Sequence, residues 1–143
     1  MSARATTFSA DAWTFMFAGI TIETGKGPDE FLKLEQQEDD ISYTAGIDGE
    51  GVFSVNKNTY TKCTLTLLQT SKGNGVLSAI HNASKLADGL PAPLAISDRK
   101  GTSKSISPSC MILKMPDETV AKQAGVCVWE FGMHQPERFV GNH

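Results

Sequence analysis

The sequence predicts an α+β fold that is mainly β: an antiparallel β-barrel or sandwich of about seven or eight strands with one packed helix. Apolar and polar residues alternate with period two along much of the chain, as in half-buried strands. Residues 74–87 are the one segment whose apolar residues recur at helical spacing, and they predict a helix. This helix stands between strands instead of alternating with them, which argues against a doubly wound α/β fold. The 143 residues, 40% hydrophobic and 20% charged, suit a single domain, residues 1–143.

The first strand region, residues 13–23, changes its alternation beside Gly19. One inserted residue reverses the facing of the residues that follow it. We therefore predict two strand pieces joined by a bulge or sharp bend at Gly19. The two faces are formed by Trp13, Phe15 and Phe17 before the bend and by Ile20 and Ile22 after it.

A long charged segment, residues 24–40, separates these strands from a hairpin. Residues 24–30 contain two glycines and a proline and are predicted to be loop, whereas residues 31–34 are strand-like. Residues 41–47 alternate with period two, which predicts a half-buried strand. An Asp-Gly turn, which readily accepts positive φ, then leads into residues 52–55 and predicts a β-hairpin.

The strongest strand signal is at residues 59–68, where Cys63, Leu65 and Leu67 share one face and threonines occupy much of the other. Threonine is β-branched and suits a pleated surface.

The helix at residues 74–87 has Asn74 as its predicted N-cap, and Gly89 followed by Pro91 ends it. Its apolar positions, which we expect to pack on the sheet, are Val76, Leu77, Ile80, Ala83 and Ala87.

Three strand-like segments follow the helix. Residues 94–96 precede a predicted polar loop at residues 98–107, and alternation resumes at residues 111–115. The final strand, residues 126–133, places Cys127, Trp129, Phe131 and Met133 on one face.

No motif for catalysis or cofactor binding is present. Nucleophile elbows and phosphate-binding loops need glycine patterns that the chain lacks. The cysteines Cys63, Cys110 and Cys127 form no Cys-x-x-Cys pair, and we expect them to be buried apolar residues in a reducing compartment. We therefore expect no enzyme, no cofactor and no metal site.

The acids of residues 38–40 together with Asp48 and Glu50 raise the alternative of a divalent-cation site. Calcium loops place acids at alternate positions over about a dozen residues, which this spacing does not match. We expect a solvated acidic rim instead.

A membrane span is not expected, because the longest apolar stretch, residues 12–22, is interrupted by Thr14, Gly19 and Thr21 and a spanning helix needs about 20 apolar residues.

The net charge of −3 conceals two opposed parts of the chain. Residues 1–55 carry ten acids and three bases, whereas residues 56–122 carry nine bases and four acids. If the two parts form different surfaces, they would attract neighbouring copies head to tail; if they interleave in one sheet, they only solvate it.

The stretch from residue 38 to residue 77 resembles the core of tail tube proteins of contractile-tailed bacteriophages. It contains an acidic strand start, the turn Asp-Gly-Glu-Gly, a strand of Thr and Leu, and a helix after a short Thr- and Ser-containing loop. Residues 128–131, Val-Trp-Glu-Phe, are similar to the last strand of that family, and residues 17–22 extend the resemblance toward the N-terminus.

The resemblance implies a structural virion protein, made and assembled in the host cytoplasm, that polymerises as stacked hexameric rings into a phage tail. The rings would form the conduit for genome delivery, and DNA would pass the lumen without specific binding. Tail sheath, baseplate and tape-measure proteins are the further partners it implies. Two alternatives remain: the inner tube of a contractile injection or type VI-like secretion apparatus, and a β-barrel that binds a small ligand.

By the same resemblance, residues 24–40 are expected to reach an adjacent subunit or ring, so that acidic and basic parts of the chain meet between copies. The candidate residues of the subunit or ring interface are Glu35, Glu38, Asp39, Asp40, Asp48, Glu50, Lys57 and Lys62.

Overall fold

The structure is a computed structural model that describes residues 13–22, 31–57, 59–99 and 101–141. These residues form ten strands and one helix, which confirms the predicted α+β, mainly β class. The predicted loop at residues 24–30 lies outside the described residues. The elements are β1 (Trp13–Phe17), β2 (Ile20–Ile22), β3 (Leu32–Gln36), β4 (Ile41–Ala45), β5 (Gly51–Val55), β6 (Tyr60–Leu68), α1 (Lys72–Leu86), β7 (Ala92–Asp98), β8 (Lys104–Lys114), β9 (Val126–His134) and β10 (Glu137–Phe139).

One large antiparallel sheet has the strand order β2-β1-β7-β8-β9-β6-β3, with β10 paired to β8. The rings of Phe15 and Phe17 on β1 lie 5.3 and 5.2 Å from the ring of Phe131 on β9, measured between centroids. In a flat sheet these strands would be about 14 Å apart, since neighbouring strands are spaced about 4.8 Å. The sheet is therefore curled over its core. Among the described strands its ends, β2 and β3, do not pair with each other, so the curled sheet is not a closed barrel.

The core is formed by the residues of alternate positions that face the inside of this curl. On β6 and β9, for example, Leu65 and Trp129 are directly opposite each other and are almost completely buried. The face of the sheet turned away from the core, which we call the outer face, carries Lys62, Thr64 and Glu130 on the same strands. The strict alternation of the sequence thus predicts which side of β6 and β9 is inside.

The helix α1 lies against strands near opposite ends of the sheet. A Cβ on Gly73 would be 3.0 Å from Ile22 of β2 and 3.2 Å from Leu67 of β6, so glycine permits this close approach. Leu77 is fully buried in the same contact region. The helix begins two residues earlier than predicted.

The predicted N-cap is wrong, because Ser71 caps the helix. Its hydroxyl accepts a hydrogen bond from the backbone N–H of Gly73 at 3.2 Å. Asn74 lies inside the first turn and uses its side chain differently: its amide oxygen accepts a hydrogen bond from the Trp129 indole at 3.0 Å. The expected helix end is confirmed, since Gly89 adopts a φ of 86° and its N–H bonds back to Ser84.

The bend expected at Gly19 is a two-residue hairpin turn. β1 and β2 pair antiparallel with Phe17 opposite Ile20, and the two turn residues, Ala18 and Gly19, have φ values of 54° and 81°. Two successive positive φ values are typical of the type I′ turn that joins tightly paired strands. The change of alternation in the sequence therefore marks a turn instead of a bulge.

The polar loop predicted at residues 98–107 is wrong over its second half, where β8 begins at Lys104. Ser105 and Ser107 face the inside and are buried, and the Ser107 hydroxyl is within hydrogen-bonding distance of the carbonyls of Ser109 and His134, at 3.1 and 3.0 Å. Small hydroxyl side chains can be buried when they form such hydrogen bonds. A prediction from residue polarity alone therefore does not detect this strand.

Candidate assembly interface

The hairpin of β4 and β5 stands apart from the large sheet. Its two strands pair with each other and, among the described strands, with no other. The Gln37 N–H donates to the Tyr60 carbonyl at 3.0 Å and extends the β3–β6 pair, and the Asn56 N–H donates to the Asp40 carbonyl at 2.7 Å and extends the β4–β5 pair toward it. The hairpin therefore continues that pair beyond the core, over a strand length of about 17 Å for five residues.

All ten residues of β4 and β5 are exposed, which corrects the prediction of a half-buried strand. The strand and turn positions were predicted well, but no part of the described body covers either face. The alternation of residues 41–47 is real, because β4 does have an apolar and a polar side. The apolar side faces solvent in the single chain.

One face of the hairpin is apolar. Ile41 is opposite Val55, and Tyr43 is opposite Phe53, so these four side chains share a face. They are 58%, 67%, 57% and 72% exposed, in that order. The rings of Tyr43 and Phe53 contact each other with centroids 5.0 Å apart. We call these four residues the hairpin face.

The opposite side of the hairpin is mostly hydroxyl-bearing. Ser42 is opposite Ser54, and Thr44 is opposite Val52. The two sides therefore differ in polarity, which is the arrangement expected when one side of a ribbon is covered and the other is wet.

The ring of Tyr43 packs against Gly51. A Cβ at Gly51 would overlap that ring, so the ring lies directly over the glycine backbone. The aromatic pair of the hairpin face is thus held in place by its own strands.

The hairpin is acidic at both ends. Between Leu34 and Asn56 the chain contains six acids and no Lys or Arg. Asp48 and Glu50 lie in the turn, where the Asp48 carboxylate accepts the Glu50 N–H at 3.2 Å. At the base, the Asn56 amide donates to the Glu38 carboxylate at 2.8 Å and contacts the Asp39 carbonyl at 3.4 Å.

Most of the predicted interface residues therefore lie along this one ribbon. Glu38, Asp39, Asp40 and Lys57 are at its base, and the two turn acids are at its tip. All of them are exposed. Their contact with another copy stays a prediction.

The remaining two predicted residues, Glu35 and Lys62, lie on the large sheet and face each other across β3 and β6. Lys62 also forms an ion pair with Glu130, with Nζ 3.2 Å from Oε1. Glu130 is opposite Lys114 across β9 and β8. Charges of alternating sign thus cross four neighbouring strands, and Lys62 already has a partner within its own chain.

The buried cysteines offer no reactive thiol. Burial raises the pKa of the Cys63 thiol far above its usual value, and burial raises the pKa of Cys110 to about 12. A protonated thiol is a poor nucleophile and a poor metal ligand. Within the described ranges, no group of three or more His, Cys, Asp or Glu side chains is placed to hold a metal ion.

Residues 8–141 match the model of the family described as bacteriophage PhiTE tail tube protein. The chain belongs to this family. As a tail tube protein it has a structural role in a phage tail, is a component of the virion, and belongs to a class that assembles with copies of itself and with other tail components. A search of curated protein sequences gives no match.

A solved structure is similar in fold to this tail tube protein. It is described as the anti-feeding prophage cap, the AFP tube terminating cap, determined by cryo-EM. The match has a TM-score of 0.62 at 10% sequence identity and covers 97% of this chain and 95% of that chain. At this identity the likeness shows the fold alone. In the part of the tail tube protein that the structure describes, no helix is long and apolar enough to cross a membrane.

Two features of this tail tube protein were not singled out from the sequence. The exposure of the hairpin face was missed, although an apolar pattern flanked on both sides by unpaired acids could have suggested it. The short strand β10 was also missed. After Pro136 come two charged residues and then two apolar ones, so no period-two alternation marked this strand.

Proposed function

We propose that this chain is the repeating subunit of a phage tail tube, that six copies form a ring, and that stacked rings form the conduit for genome delivery into the host cell. Family membership supports the tube, and the hairpin of β4 and β5 supports the polymer. The hairpin places four large apolar side chains, 57–72% exposed, on an extension that the described body does not cover. Contiguous exposed apolar surface of this kind marks an interaction site.

The partner that covers the hairpin is a second copy of the chain. The outer edges of β2, β3 and β10 are further polar surfaces that a single copy leaves open, because each of these strands pairs with one neighbour in the described sheet. Exposed edges invite strand pairing between chains. In a ring these edges and the hairpin are joined to adjacent copies, so that the open curled sheet is completed by its neighbours.

Passage of DNA without specific binding is supported by the charges of the outer face. Lys62 is paired with Glu130, and Glu35 and Lys114 continue the alternation of signs. Cations that release counterions on phosphate are the main source of non-specific DNA affinity. Lys62 of this surface is already paired, and a paired lysine offers little of this affinity. Sheath, baseplate and tape-measure proteins are the expected partners of the finished tube.

The test is the assembly of the purified chain, followed by electron microscopy and sedimentation. We expect rings or tubes with six-fold symmetry, and we expect the double variant Tyr43→Ser/Phe53→Ser to remain dispersed. Aromatic residues at the centre of an interface contribute about 2 kcal/mol or more each. Loss of one such contact therefore raises the concentration needed for assembly by about 30-fold or more.

The matched control is Val52→Ser, because Val52 is 61% exposed on the opposite side of the same hairpin. It should assemble as the unmodified chain does. In dispersed samples, both variants should unfold at the same denaturant concentration as the unmodified chain, since no altered side chain is buried. A chain that stays monomeric at high concentration, or a hairpin-face variant that still forms tubes, would contradict the proposal.

A second candidate function is the inner tube of a contractile injection apparatus. The fold shared with the anti-feeding prophage cap favours it. The two functions differ in what passes through the tube. Purified virions that contain this chain and inject DNA would support the phage tail, whereas particles that contain the chain without a capsid or DNA would support the injection apparatus.

A further inference from the structure

Two short connections join the hairpin of β4 and β5 to the large sheet. The first connection runs from Gln37 to Asp40, and the second includes Lys57 and Thr59. The hairpin strands pair with no other strand in the part of the chain that the structure describes. The direction in which the hairpin projects therefore depends on how these two connections are held.

The second connection is fastened to the turn between β9 and β10 by Gln135. The Gln135 N–H donates to the Thr59 carbonyl at 2.9 Å, and the Gln135 side-chain amide donates to the Lys57 carbonyl at 3.1 Å. Gln135 adopts a φ of 43°, a conformation that is uncommon for residues other than glycine. Its two hydrogen bonds to the connection offset the strain of this conformation.

The first connection lies beside a concavity of about 250 Å³ at the same corner of the sheet. The lining contains one acid, Asp40 of the first connection, and one base, Arg138 of β10, and its other side chains are uncharged. We call this space the corner concavity. Two opposite charges thus line it, one on the hairpin side and one on the side of the large sheet.

Arg138 lies on the core side of β10. It is opposite Ser105, which is 6% exposed. Burial and the neighbouring Cys110 raise the pKa of the Cys63 thiol, and the Arg138 cation opposes that rise, so the guanidinium is close to a buried residue of β6. The Nε of Arg138 is buried and has no hydrogen-bond partner among the described residues. A buried donor without an acceptor is destabilising, and more so when the donor is charged.

Asp40 is the acid placed to supply the acceptor that Arg138 lacks. Its carbonyl accepts the Asn56 N–H at 2.7 Å, whereas its exposed carboxylate has no hydrogen bond or ion pair with any described residue. The neighbouring acids differ from it, because the Glu38 carboxylate already accepts the Asn56 amide at 2.8 Å and Asp39 does not line the corner concavity. A carboxylate and a guanidinium form hydrogen bonds about twice as strong as those between neutral groups.

We propose that the Asp40 carboxylate accepts the Nε–H of Arg138, which draws the first connection toward β10, closes the corner concavity and fixes the direction of the hairpin. Gln135 holds the second connection and this ion pair holds the first. The consequence for assembly rests on the proposed function: a hairpin that is already held in one direction loses less freedom when it contacts a neighbouring copy, and so binds it more tightly.

The direct test follows the Nε–H of Arg138 by NMR in the dispersed variant Tyr43→Ser/Phe53→Ser. In this background, Asp40→Ala should make the exchange of that proton with water faster by about tenfold or more, the factor that corresponds to a hydrogen bond with a charged group. Asp39→Ala is the matched control and should leave the exchange unchanged. Arg138→Lys identifies the signal by removing it. Equal exchange with and without the Asp40 carboxylate would overturn the proposal.

The consequence for assembly is measured on chains with an intact hairpin face. Asp40→Ala and Arg138→Gln should each raise the concentration needed for assembly, by up to about tenfold. The double variant should raise it no further, because each substitution alone already removes the pair. Asp88→Asn, which removes an exposed acid beyond the end of α1, should assemble as the unmodified chain does. Additive effects of the two substitutions would show that Asp40 and Arg138 act separately and would contradict the proposal.

The outcomes separate this inference from the proposed function. If the unmodified chain forms tubes but the exchange of the Arg138 proton does not depend on Asp40, the ion pair fails and the tube function stands. If the exchange does depend on Asp40 but the unmodified chain forms no tubes, the proposed function fails and the ion pair stands. If the pair forms and every variant assembles equally well, its role in assembly is overturned.

Discussion

Asn74 connects the start of the helix to the last long strand through a single side chain. Its amide oxygen accepts the indole N–H of Trp129, which is 1% exposed, and its amide nitrogen donates to the Leu68 carbonyl at 2.9 Å. Asn74→Ala would leave the indole N–H without a partner in the core. We expect a loss of about 1–3 kcal/mol in the free energy of unfolding, the usual cost of an unsatisfied buried donor.

The measurement is urea unfolding of the dispersed protein followed by tryptophan fluorescence. Asn82→Ala is the control, because Asn82 lies on the exposed side of the same helix. That substitution should change stability by less than about 0.5 kcal/mol. Equal stability of the two variants would show that the indole bond contributes nothing.

The role of Asn74 was not predictable from its neighbours. Ser71 and Asn74 are both residue types that favour a helix N-cap, and they stand three positions apart. Which of them caps the helix depends on Trp129, which is 55 residues away in the chain. The local sequence shows that Ser71 and Asn74 are both candidates for the N-cap. It does not show that the distant Trp129 indole binds the Asn74 side chain.

At the scale of the element, α1 is stabilised by one row of its residues. Leu77 is fully buried against the sheet, whereas Leu86 in the last turn is 89% exposed. Leu77→Ala should therefore lower the free energy of unfolding by about 2–5 kcal/mol, through lost apolar contact and the cavity that remains.

Leu86→Ala makes the identical exchange on the same helix and should change stability by less than about 0.5 kcal/mol. Urea unfolding of both variants gives the comparison. A small effect of Leu77→Ala would mean that the helix is not packed as described, since helix propensity itself favours alanine in both positions.

The strands show why the existence of an element is easier to predict than its surroundings. The alternation of residues 59–68 and 126–133 predicted β6, β9 and their buried sides, because these strands lie in the middle of the sheet and one face of each meets the core. The same alternation predicted β4 and β5 equally well. It did not reveal that their apolar side faces outward, since period two distinguishes two faces without saying what covers either of them.

At the scale of the whole molecule, electrostatic attraction between copies is expected to contribute to assembly. The acidic hairpin of one copy is expected to meet basic parts of another copy, and salt screens charges at separations beyond about 10 Å at 0.1 M and about 3 Å at 1 M. Raising the sodium chloride concentration from 0.1 to 1 M should therefore increase the amount of unassembled protein. Exposed pairs contribute about 0.2–1 kcal/mol each, so two or three pairs give a change of the order of tenfold.

Sedimentation of assembled samples measures the unassembled fraction at each salt concentration. The variant Glu50→Gln is the comparison and should respond less to salt, because one acid of the hairpin turn is absent from the start. Assembly that is indifferent to salt in the unmodified chain would contradict a contact between acidic and basic surfaces.

The opposed charges of the two parts of the chain were visible in the sequence, but their arrangement in space was not. Lys62 was expected at an interface between copies and is paired with Glu130 within one chain. Glu35 is likewise opposite Lys62 on the sheet. These pairs depend on which strands are neighbours, and the order β8-β9-β6-β3 joins segments that are far apart in sequence. The fold class could be predicted because it depends on local patterns; the pairing of charges could not.

The uncovered hairpin also has a kinetic consequence. An isolated two-stranded ribbon is marginally stable in water, and holding a residue in one backbone conformation costs about 1–2 kcal/mol of conformational entropy. When two free copies associate, this entropy cost is offset by a single intermolecular contact. A copy that joins the end of an existing polymer makes several contacts for the same entropy cost. For the proposed tube we therefore expect growth to start slowly from free subunits and to proceed rapidly on a preformed template, so that whatever supplies the first ring would set the time and place of polymerisation.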